Sequence, residues 1–481
     1  MVYAAFGIQG LTGIVGTFFV KDYLDLSAEF LAALAFWAGI PWAMKMPVGH
    51  VVDLIWRWKA GLVWLGAAML TASLLIMIGL ISHTESMRAV MSVNRWFVLS
   101  ALLLPTGYMI QDAVADAMTV EAVPRVDERG VPYDAQARKS MHTTMQTLGR
   151  VAIIGGLTLV SAANIYIFYD ASALPAARKA ALYAEVYTAA LIIPLVSVSG
   201  VVLHRYLRHP VERAERTPPN WSVLGGSAAF VALTLAVGLG QLPYAQELIF
   251  GGSLAVIVFL LWRLARELEP AAREVLVATA AILFVYRCVP GTGAGSTWWM
   301  IDVLKFDESF LARLSLVAYA LTLIGMFAFR RFMAEKSIGT IIVVLTVAGA
   351  VLSLPNIGMF YGLHEWTAAR TGGVVDARLI ALIDTALESP LGQIAMIPML
   401  AWIANSAPAN LKATYFAVMA SFANLALAAS QLGTKYLNQA YAVTRGGYGE
   451  VGELMIAVAV IGVALPLAAV AAVRMLRLRT A

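Results

Sequence analysis

Long apolar stretches recur along the whole chain, and short polar connections separate them. A helix needs about 20 mostly apolar residues to cross the hydrocarbon layer of a bilayer. Suitable windows lie at residues 3–20, 30–55, 60–82, 96–120, 141–169, 181–203, 223–242, 248–264, 275–301, 311–329, 338–361, 379–404, 413–437 and 454–473. The pattern therefore predicts an all-α polytopic membrane protein with fourteen spans.

The chain also repeats itself at an offset of 280 residues. Residues 12–34 and 292–314 are identical at nine of 23 aligned positions, including Asp22 with Asp302. Each segment covers the junction between the first two spans of one half of the chain. Because the shared polar positions fall at the same junction, we interpret the match as an internal duplication.

The duplication predicts three parts. Two pseudo-symmetric six-helix bundles cover residues 1–206 and 276–481, and a linker at 207–275 carries two additional central helices. Two parallel six-span halves are the plan of the major facilitator fold, in which solute binds between the halves near the middle of the bilayer. We therefore expect this fold, with the two extra helices outside its symmetry.

Composition narrows the class of function. Of the 481 residues, 60% are hydrophobic and 13% are charged, which is far below the charged fraction of soluble domains. Cys288 is the one cysteine, and no histidine lies at a metal-binding spacing from it. The sequence therefore predicts no disulfide, no metal and no cofactor.

The basic residues indicate orientation. Lys and Arg are about twice as frequent after even-numbered spans and in the C-terminal tail as in the other connections, and cytoplasmic connections are the basic ones. Both termini are therefore predicted to be cytoplasmic, in the cell (inner) membrane. Since these connections account for the net charge of +5, no nucleic-acid partner is expected.

Several ionisable side chains fall inside predicted spans, where a charge is costly and usually functional. Asp112 and Asp116 are four residues apart, so on a helix they share one face with Tyr108. We assign proton coupling to Asp112, with Asp116 and Glu388 as further candidates. Their positions along the spans place Lys45, Asp112 and Arg150 at similar depth. They predict two ion pairs, Arg150 with Asp112 and Arg287 with Glu388; purely structural roles in helix packing stay open.

A set of cationic, aromatic and amide side chains is predicted to bind the solute. Cations would hold negative charge and aromatic rings would cover a planar ring. The set is Trp42, Lys45, Tyr108, Gln111, Arg150, Arg287, Trp298 and Asn424. For Trp298 and its neighbour Trp299, a place in the membrane-interface belt is an alternative. Pro290 and the alternating glycines after it predict a broken helix that lines a cavity or is buried in protein. Glu388 precedes Pro390, so a place at a second helix break is the alternative to its role in proton coupling.

The connection after the second window carries a candidate gate. Gly49, Asp53 and Arg57 resemble the signature loop of the major facilitator superfamily, although the basic residue after the aspartate and the second glycine are missing. A short cytoplasmic turn whose aspartate and arginine pair with a neighbouring helix end would form a breakable contact. We assign these three residues to gating.

A more specific resemblance joins several segments from both halves. They are FVKDYLDLSAEF at 19–30, Pro41 and Trp42 with Lys45 and Gly49, QDAVADA at 111–117, DVLKFDESFL at 302–311, and APANLKATYFAVMASFAN at 407–424. Together they resemble the folate-biopterin transporter family of the major facilitator superfamily. The chain departs from the family pattern at Lys412, where glutamate is usual, and at Pro47, one place late. The resemblance implies transport of folates, pterins or S-adenosylmethionine.

The combined prediction is a secondary active transporter. We expect a monomer that couples protons to the movement of an anionic aromatic solute by alternating access, with another small metabolite such as S-adenosylmethionine as the alternative solute. A membrane-embedded enzyme would need a convergent nucleophile and base or a metal cluster. The histidines instead fall at span ends or in connections, at positions His50, His83, His142, His204, His209 and His364. A receptor or scaffold would need a larger polar region than residues 121–140 supply.

Overall fold

A computed structural model of the chain describes residues 1–24, 26–43, 45–55, 58–121, 130–131, 133–207, 221–239, 244–266, 268–399, 402, 412–478 and 480. These ranges are almost entirely helical and contain no β-strand. The helices are α1 (Val2–Ile8), α2 (Gly13–Tyr23), α3 (Ala28–Ala43), α4 (Lys45–Leu54), α5 (Lys59–Ser82), α6 (Thr84–Val90), α7 (Val93–Glu121), α8 (Ala135–Ile167), α9 (Ala176–Ala189), α10 (Ile192–Leu207), α11 (Trp221–Leu239), α12 (Ala245–Ala265), α13 (Pro270–Arg287), α14 (Ala294–Asp302), α15 (Glu308–Ala328), α16 (Arg330–Glu335), α17 (Ile338–Phe360), α18 (Leu363–Arg370), α19 (Ala377–Glu388), α20 (Lys412–Ala440) and α21 (Val451–Met475).

Ten segments within the described ranges are long and apolar enough to cross a membrane. They are Val2–Tyr23, Lys59–Ser82, Val93–Asp116, Leu148–Ala173, Ala176–Leu203, Ala245–Arg263, Glu308–Ala328, Ile338–Phe360, Ala377–Met399 and Val451–Met475. Helix α3 is apolar but has only 16 residues. The predicted all-α membrane architecture is confirmed, whereas the number of fourteen spans stays a prediction.

Two predicted interruptions are present. Helix α13 ends at Arg287 and α14 begins at Ala294, with Gly293 between them at a φ of 73°. Only glycine adopts that left-handed region without strain. Helix α19 ends at Glu388, directly before the 3-10 turn Ser389–Leu391. Proline and glycine in the sequence therefore located both helix breaks correctly.

The internal repeat is visible in how two helices begin. The Ser27 hydroxyl accepts a hydrogen bond of 3.0 Å from the backbone N–H of Phe30, at the start of α3. At the equivalent place, the Asp307 carboxylate accepts one of 2.8 Å from the N–H of Phe310, at the start of α15. Such side chains satisfy backbone donors that have no partner in the first helical turn. Equivalent positions thus perform the same capping role 280 residues apart.

Backbone contacts divide the chain into two compact units. The first contains Met1–Phe19 and Met44–Ser227, and the second contains Val20–Ala43 and Ala228–Ala481. In the first unit, α1 packs against α8 and α10, and α5 packs against α7. In the second, α3 and α12 pack against α20, and α13 and α17 pack against α21. This grouping follows compactness rather than the repeat, so the three-part division of the sequence stays a prediction.

Glycines permit a close crossing of α1 and α8 in the first unit. A Cβ atom on Gly156 would lie 2.9 Å from the Cα atom of Gly7 and 3.1 Å from the backbone nitrogen of Ile8. Backbone atoms cannot rotate away as a side chain can. Small residues at such crossings allow close backbone packing, which is one of the attractions that hold helices together in a membrane.

We expect Gly156→Val to separate α1 from α8 and to lower the free energy of unfolding by about 1–3 kcal/mol, the usual cost of overpacking. The midpoint of thermal unfolding of the purified protein in detergent measures this loss. Gly155→Val is the matched control because a Cβ atom on Gly155 meets nothing within 4 Å. Equal midpoints for the two variants would contradict the crossing.

Candidate functional site

A lysine and two aspartates form the most compact charged cluster in the first unit. The Lys45 ammonium, at the start of α4, lies 2.5 Å from Asp112 Oδ2 and 2.5 Å from Asp116 Oδ2. Both aspartates project from one face of α7, as their spacing predicted. About a fifth of the Lys45 side chain is exposed, at 21%. One cation thus bridges two carboxylates inside a membrane protein.

Two further side chains complete this cluster. The Tyr3 hydroxyl on α1 donates a hydrogen bond to the Asp116 carboxylate. The charge of Arg150 on α8 acts on Asp112 and Tyr3 at longer range. The predicted ion pair between Arg150 and Asp112 is therefore wrong: Lys45 takes that place, since α4 brings its ammonium directly over α7. Tyr3 has no sequence signal beyond a tyrosine near the N-terminus.

Two predicted solute-binding residues on α7 are packed inside the first unit. Tyr108 is 3% exposed, and its ring meets that of Phe6 edge-on at 5.2 Å between centroids. Gln111 is fully buried, and its amide nitrogen donates to the carbonyl oxygen of Val63 at 2.9 Å and to the Ser197 hydroxyl at 3.0 Å. Gln111 therefore ties α7 to α5 and α10, and its role toward solute stays a prediction.

A second group of predicted residues lies in the second unit. Arg287, at the end of α13, donates from Nε to the carbonyl oxygen of Ala423 at 3.1 Å and from Nη1 to the Met396 sulfur at 3.4 Å. Glu388 is exposed on α19. The predicted ion pair between Arg287 and Glu388 is not formed among the described side chains, because Arg287 is directed toward α20 instead.

Aromatic and amide groups flank Arg287 and its partner Ala423 in the sequence. Asn424, next to Ala423, donates to the carbonyl oxygen of Trp42 at 3.1 Å and so joins α20 to α3. Phe284, one turn before Arg287, packs against Phe422 with 4.8 Å between ring centroids. Sequence reasoning missed this pair of rings, although both lie within three residues of a predicted site residue.

The two tryptophans of α14 are buried in protein. Trp298 is 1% exposed and Trp299 is 3% exposed. The Arg445 guanidinium lies over the Trp298 ring, 5.0 Å from its centroid, and Trp299 packs in a core cluster with Phe310 and Leu454. This burial argues against a place in the membrane-interface belt.

The candidate gate is only partly described. Gly49 lies in α4 with open space where a Cβ atom would be. Arg57 and the side chain of Asp53 lie outside the described residues, so their gating role stays a prediction. Across the described ranges, no group of three or more His, Cys, Asp or Glu side chains could hold a metal ion.

Comparison with known proteins places the chain among transporters. A folate-biopterin transporter from Synechocystis sp. is 23% identical over 429 residues, covering 88% of this chain and 71% of the relative. A solved POT family transporter in complex with 5-aminolevulinic acid has a TM-score of 0.64 at 12% identity, over 97% of this chain and 93% of the other. The nucleoside transporter NupG has a TM-score of 0.55 at 12% identity, over 98% of this chain and 96% of the other. Such low identity to solved structures shows the fold alone, which is that of major facilitator transporters.

The family follows from the sequence itself. The profile of the BT1 family matches residues 225–478, which is more than half of the 481 residues. Together with the Synechocystis relative, this confirms the family resemblance and the prediction that the protein is not an enzyme. The chain is a membrane transporter and belongs to the BT1 family.

Proposed function

We propose that the protein is a proton-coupled symporter that moves an anionic aromatic solute, such as a folate or a pterin, by alternating access. The observation that carries the coupling is the bridge from Lys45 to Asp112 and Asp116, at 2.5 Å to each. A charge inside a membrane protein needs a partner, and relays of protonatable groups within membrane spans are typical of pumps and transporters. The protein would work as a monomer in the cell (inner) membrane, with both termini in the cytoplasm.

Proton binding and Lys45 compete for the same carboxylates. When a proton binds to Asp112, Lys45 loses one of two ion pairs but keeps the other with Asp116. The contact between α4 and α7 then weakens, because the Coulombic attraction inside a low-dielectric protein is large. Alternating access needs such a change, since the coupling ion must alter the balance between two conformations. Protonation of Asp112 thus makes it easier for α4 to move relative to α7.

For the solute, three features support an anionic planar ring. Arg287 provides a permanent positive charge at the end of α13, and Phe284 and Phe422 provide flat apolar surface near it. The Synechocystis relative is named for folate and biopterin, both of which contain a planar pterin ring. Guanidinium groups suit carboxylates because their planar donors form two parallel hydrogen bonds.

We keep a cationic metabolite, such as S-adenosylmethionine, as the second candidate solute because of one observation in α19. Asp384 is 4% exposed, and its Oδ1 atom has no hydrogen-bond partner within the described ranges. Its other oxygen accepts a hydrogen bond of 2.5 Å from the Asn356 amide. Neither Asp384 nor Glu388 forms an ion pair with a described side chain, so two acids on one helix could receive a cationic solute.

Uptake into proteoliposomes tests both candidates. Labelled folate, biopterin and S-adenosylmethionine are offered with and without an inward proton gradient, and vesicles without protein are the control. We expect accumulation of the folate or the pterin only with the gradient. Accumulation of S-adenosylmethionine instead would select the second candidate. Equal uptake with and without the gradient would exclude proton coupling.

For Arg287→Ala, we expect solute affinity to fall at least tenfold, because a charge-assisted hydrogen bond contributes about 1.5–3 kcal/mol. Equilibrium binding of labelled solute to the purified protein measures this. Arg273→Ala is the matched control: Arg273 lies on the same helix and its Nε also donates to a backbone carbonyl, that of Ala265 at 3.0 Å. Unchanged affinity in a correctly folded Arg287→Ala protein would remove Arg287 from the site.

A further inference from the structure

Three segments meet at one cluster of charged groups in the second unit. They are the C-terminal end of α2 with the turn after it, the end of α14 and the connection after α20. The Lys21 ammonium lies 2.6 Å from Asp302 Oδ1 and 3.3 Å from Asp22 Oδ1. The Lys21 side chain is 13% exposed. One lysine therefore binds the two aspartates that the internal repeat makes equivalent.

The connection after α20 joins the same cluster. The Tyr448 hydroxyl donates a hydrogen bond to Asp302. Arg445, three residues earlier, donates from Nη2 to the carbonyl oxygens of Val20 at 2.5 Å and Leu26 at 3.4 Å. This one connection thus holds the end of α14 through Tyr448, and the end of α2 with the turn after it through Arg445.

We propose that Lys21, Asp302, Arg445 and Tyr448 form a releasable latch that holds the ends of α2, α14 and α20 together and opens once per transport cycle. The latch joins segments from both halves of the internal repeat, and in the proposed function those halves move against each other. The inference rests on that alternating access but names no solute and needs no proton. Polar contacts suit a device that must open, because water can replace each of them when the segments part.

The chemistry of the latch makes it insensitive to physiological pH. Burial raises the pKa of Asp302, but the hydrogen bonds from Lys21 and Tyr448 and the charges of Lys21 and Lys305 outweigh it, so the pKa lies below its ordinary value. Burial and the hydrogen bond to Asp302 raise the pKa of Tyr448 to about 12. A carboxylate with a lowered pKa loses its contribution only as pH falls through that lowered value. The groups of the latch therefore keep their charge states between about pH 5 and 8. Asp22, beside Lys21, and Arg445, whose charge acts on Tyr448, are further ionisable groups of the cluster.

A spectroscopic distance tests the latch. Tyr23 and Val303 occupy equivalent positions in the repeat and are 47% and 52% exposed. In a Cys288→Ala background, Tyr23→Cys and Val303→Cys accept spin labels, and electron–electron double resonance measures the distance between them in lipid nanodiscs. We expect one narrow distance distribution for this labelled parent protein.

Asp302→Asn should add a longer distance and raise the ratio of open to latched protein about tenfold, since an ion pair and a hydrogen bond to a charge are lost. Asp22→Asn is the matched control, because Asp22 is adjacent to Lys21 and cannot join two segments. Tyr448→Phe, a milder change, should raise the ratio less. Exchanging the charges, with Lys21→Asp and Asp302→Lys together, should restore the narrow distribution.

Identical distributions for the parent, Asp302→Asn and Asp22→Asn would overturn the latch. The measurement needs neither solute nor a proton gradient, so its failure is distinct from failure of the proposed function. If proton-driven uptake is observed but the spin-label distances are the same in the parent and the variants, the latch is excluded and the proposed function is retained. If Asp302→Asn changes the distance but no proton-driven uptake is observed, the latch is supported and proton coupling is excluded.

Discussion

The Asp112→Asn protein is expected to exchange solute across vesicles but to lose accumulation driven by a pH gradient. Asparagine keeps the size of the side chain and cannot carry a proton. Lys45 retains its 2.5 Å contact with Asp116 in this variant, so we expect the protein to fold. A difference of one pH unit can drive about tenfold accumulation for one coupled proton. The variant should bring the inside and outside concentrations only to equality.

Proteoliposomes loaded at one pH and diluted into another measure both activities. Exchange of labelled for unlabelled solute at equal pH reports movement of the solute-loaded protein, and net accumulation reports coupling. Glu85→Gln is the control, because Glu85 is an exposed carboxylate, 84% exposed and paired only with Arg88 among described side chains. Full accumulation by Asp112→Asn would make Asp112 structural, and Asp116→Asn would then be the variant to test.

Helical periodicity was enough to predict half of the charged cluster. The spacing of four residues placed Asp112 and Asp116 on one face of α7, and both contact the same ammonium. Position along a span also put Lys45 near the level of Asp112. Arg150 was nevertheless predicted as the ion-pair partner of Asp112. The depth of a residue along its helix does not give the rotation of that helix relative to its neighbours. Only packing decides which of two cations at one level meets the carboxylates.

Breaks in helices were predictable for a different reason. Pro290 with the glycines after it and Pro390 change the backbone locally, and both breaks are present. Tyr3 and the stacked Phe284 and Phe422 could not be found in the same way. The sequence pattern of a span does not show whether an apolar or aromatic side chain contacts lipid or lines the functional site. The sequence repeat, by contrast, gave the equivalence of Asp22 and Asp302 directly.

For Lys45→Met, we expect loss of both transport and stability. This is the largest effect that we expect from any single substitution proposed. The change leaves two carboxylates without their shared ammonium inside a membrane protein. Removing one partner of a buried ion pair costs about 3–5 kcal/mol, and because a fifth of this side chain is exposed we expect the lower end of that range. The midpoint of thermal unfolding in detergent should fall markedly, and uptake should be absent.

A second substitution separates charge from packing. Lys45→Met combined with Asp112→Asn removes one negative charge along with the positive one, and the Tyr3 hydroxyl still donates to Asp116. This double variant should regain much of the lost stability, since the remaining carboxylate keeps a donor. It should not regain accumulation, because no exchange between a proton and Lys45 is left. A double variant as unstable as Lys45→Met would show that Lys45 acts through packing of its aliphatic chain, and the ion bridge would then contribute little to the fold.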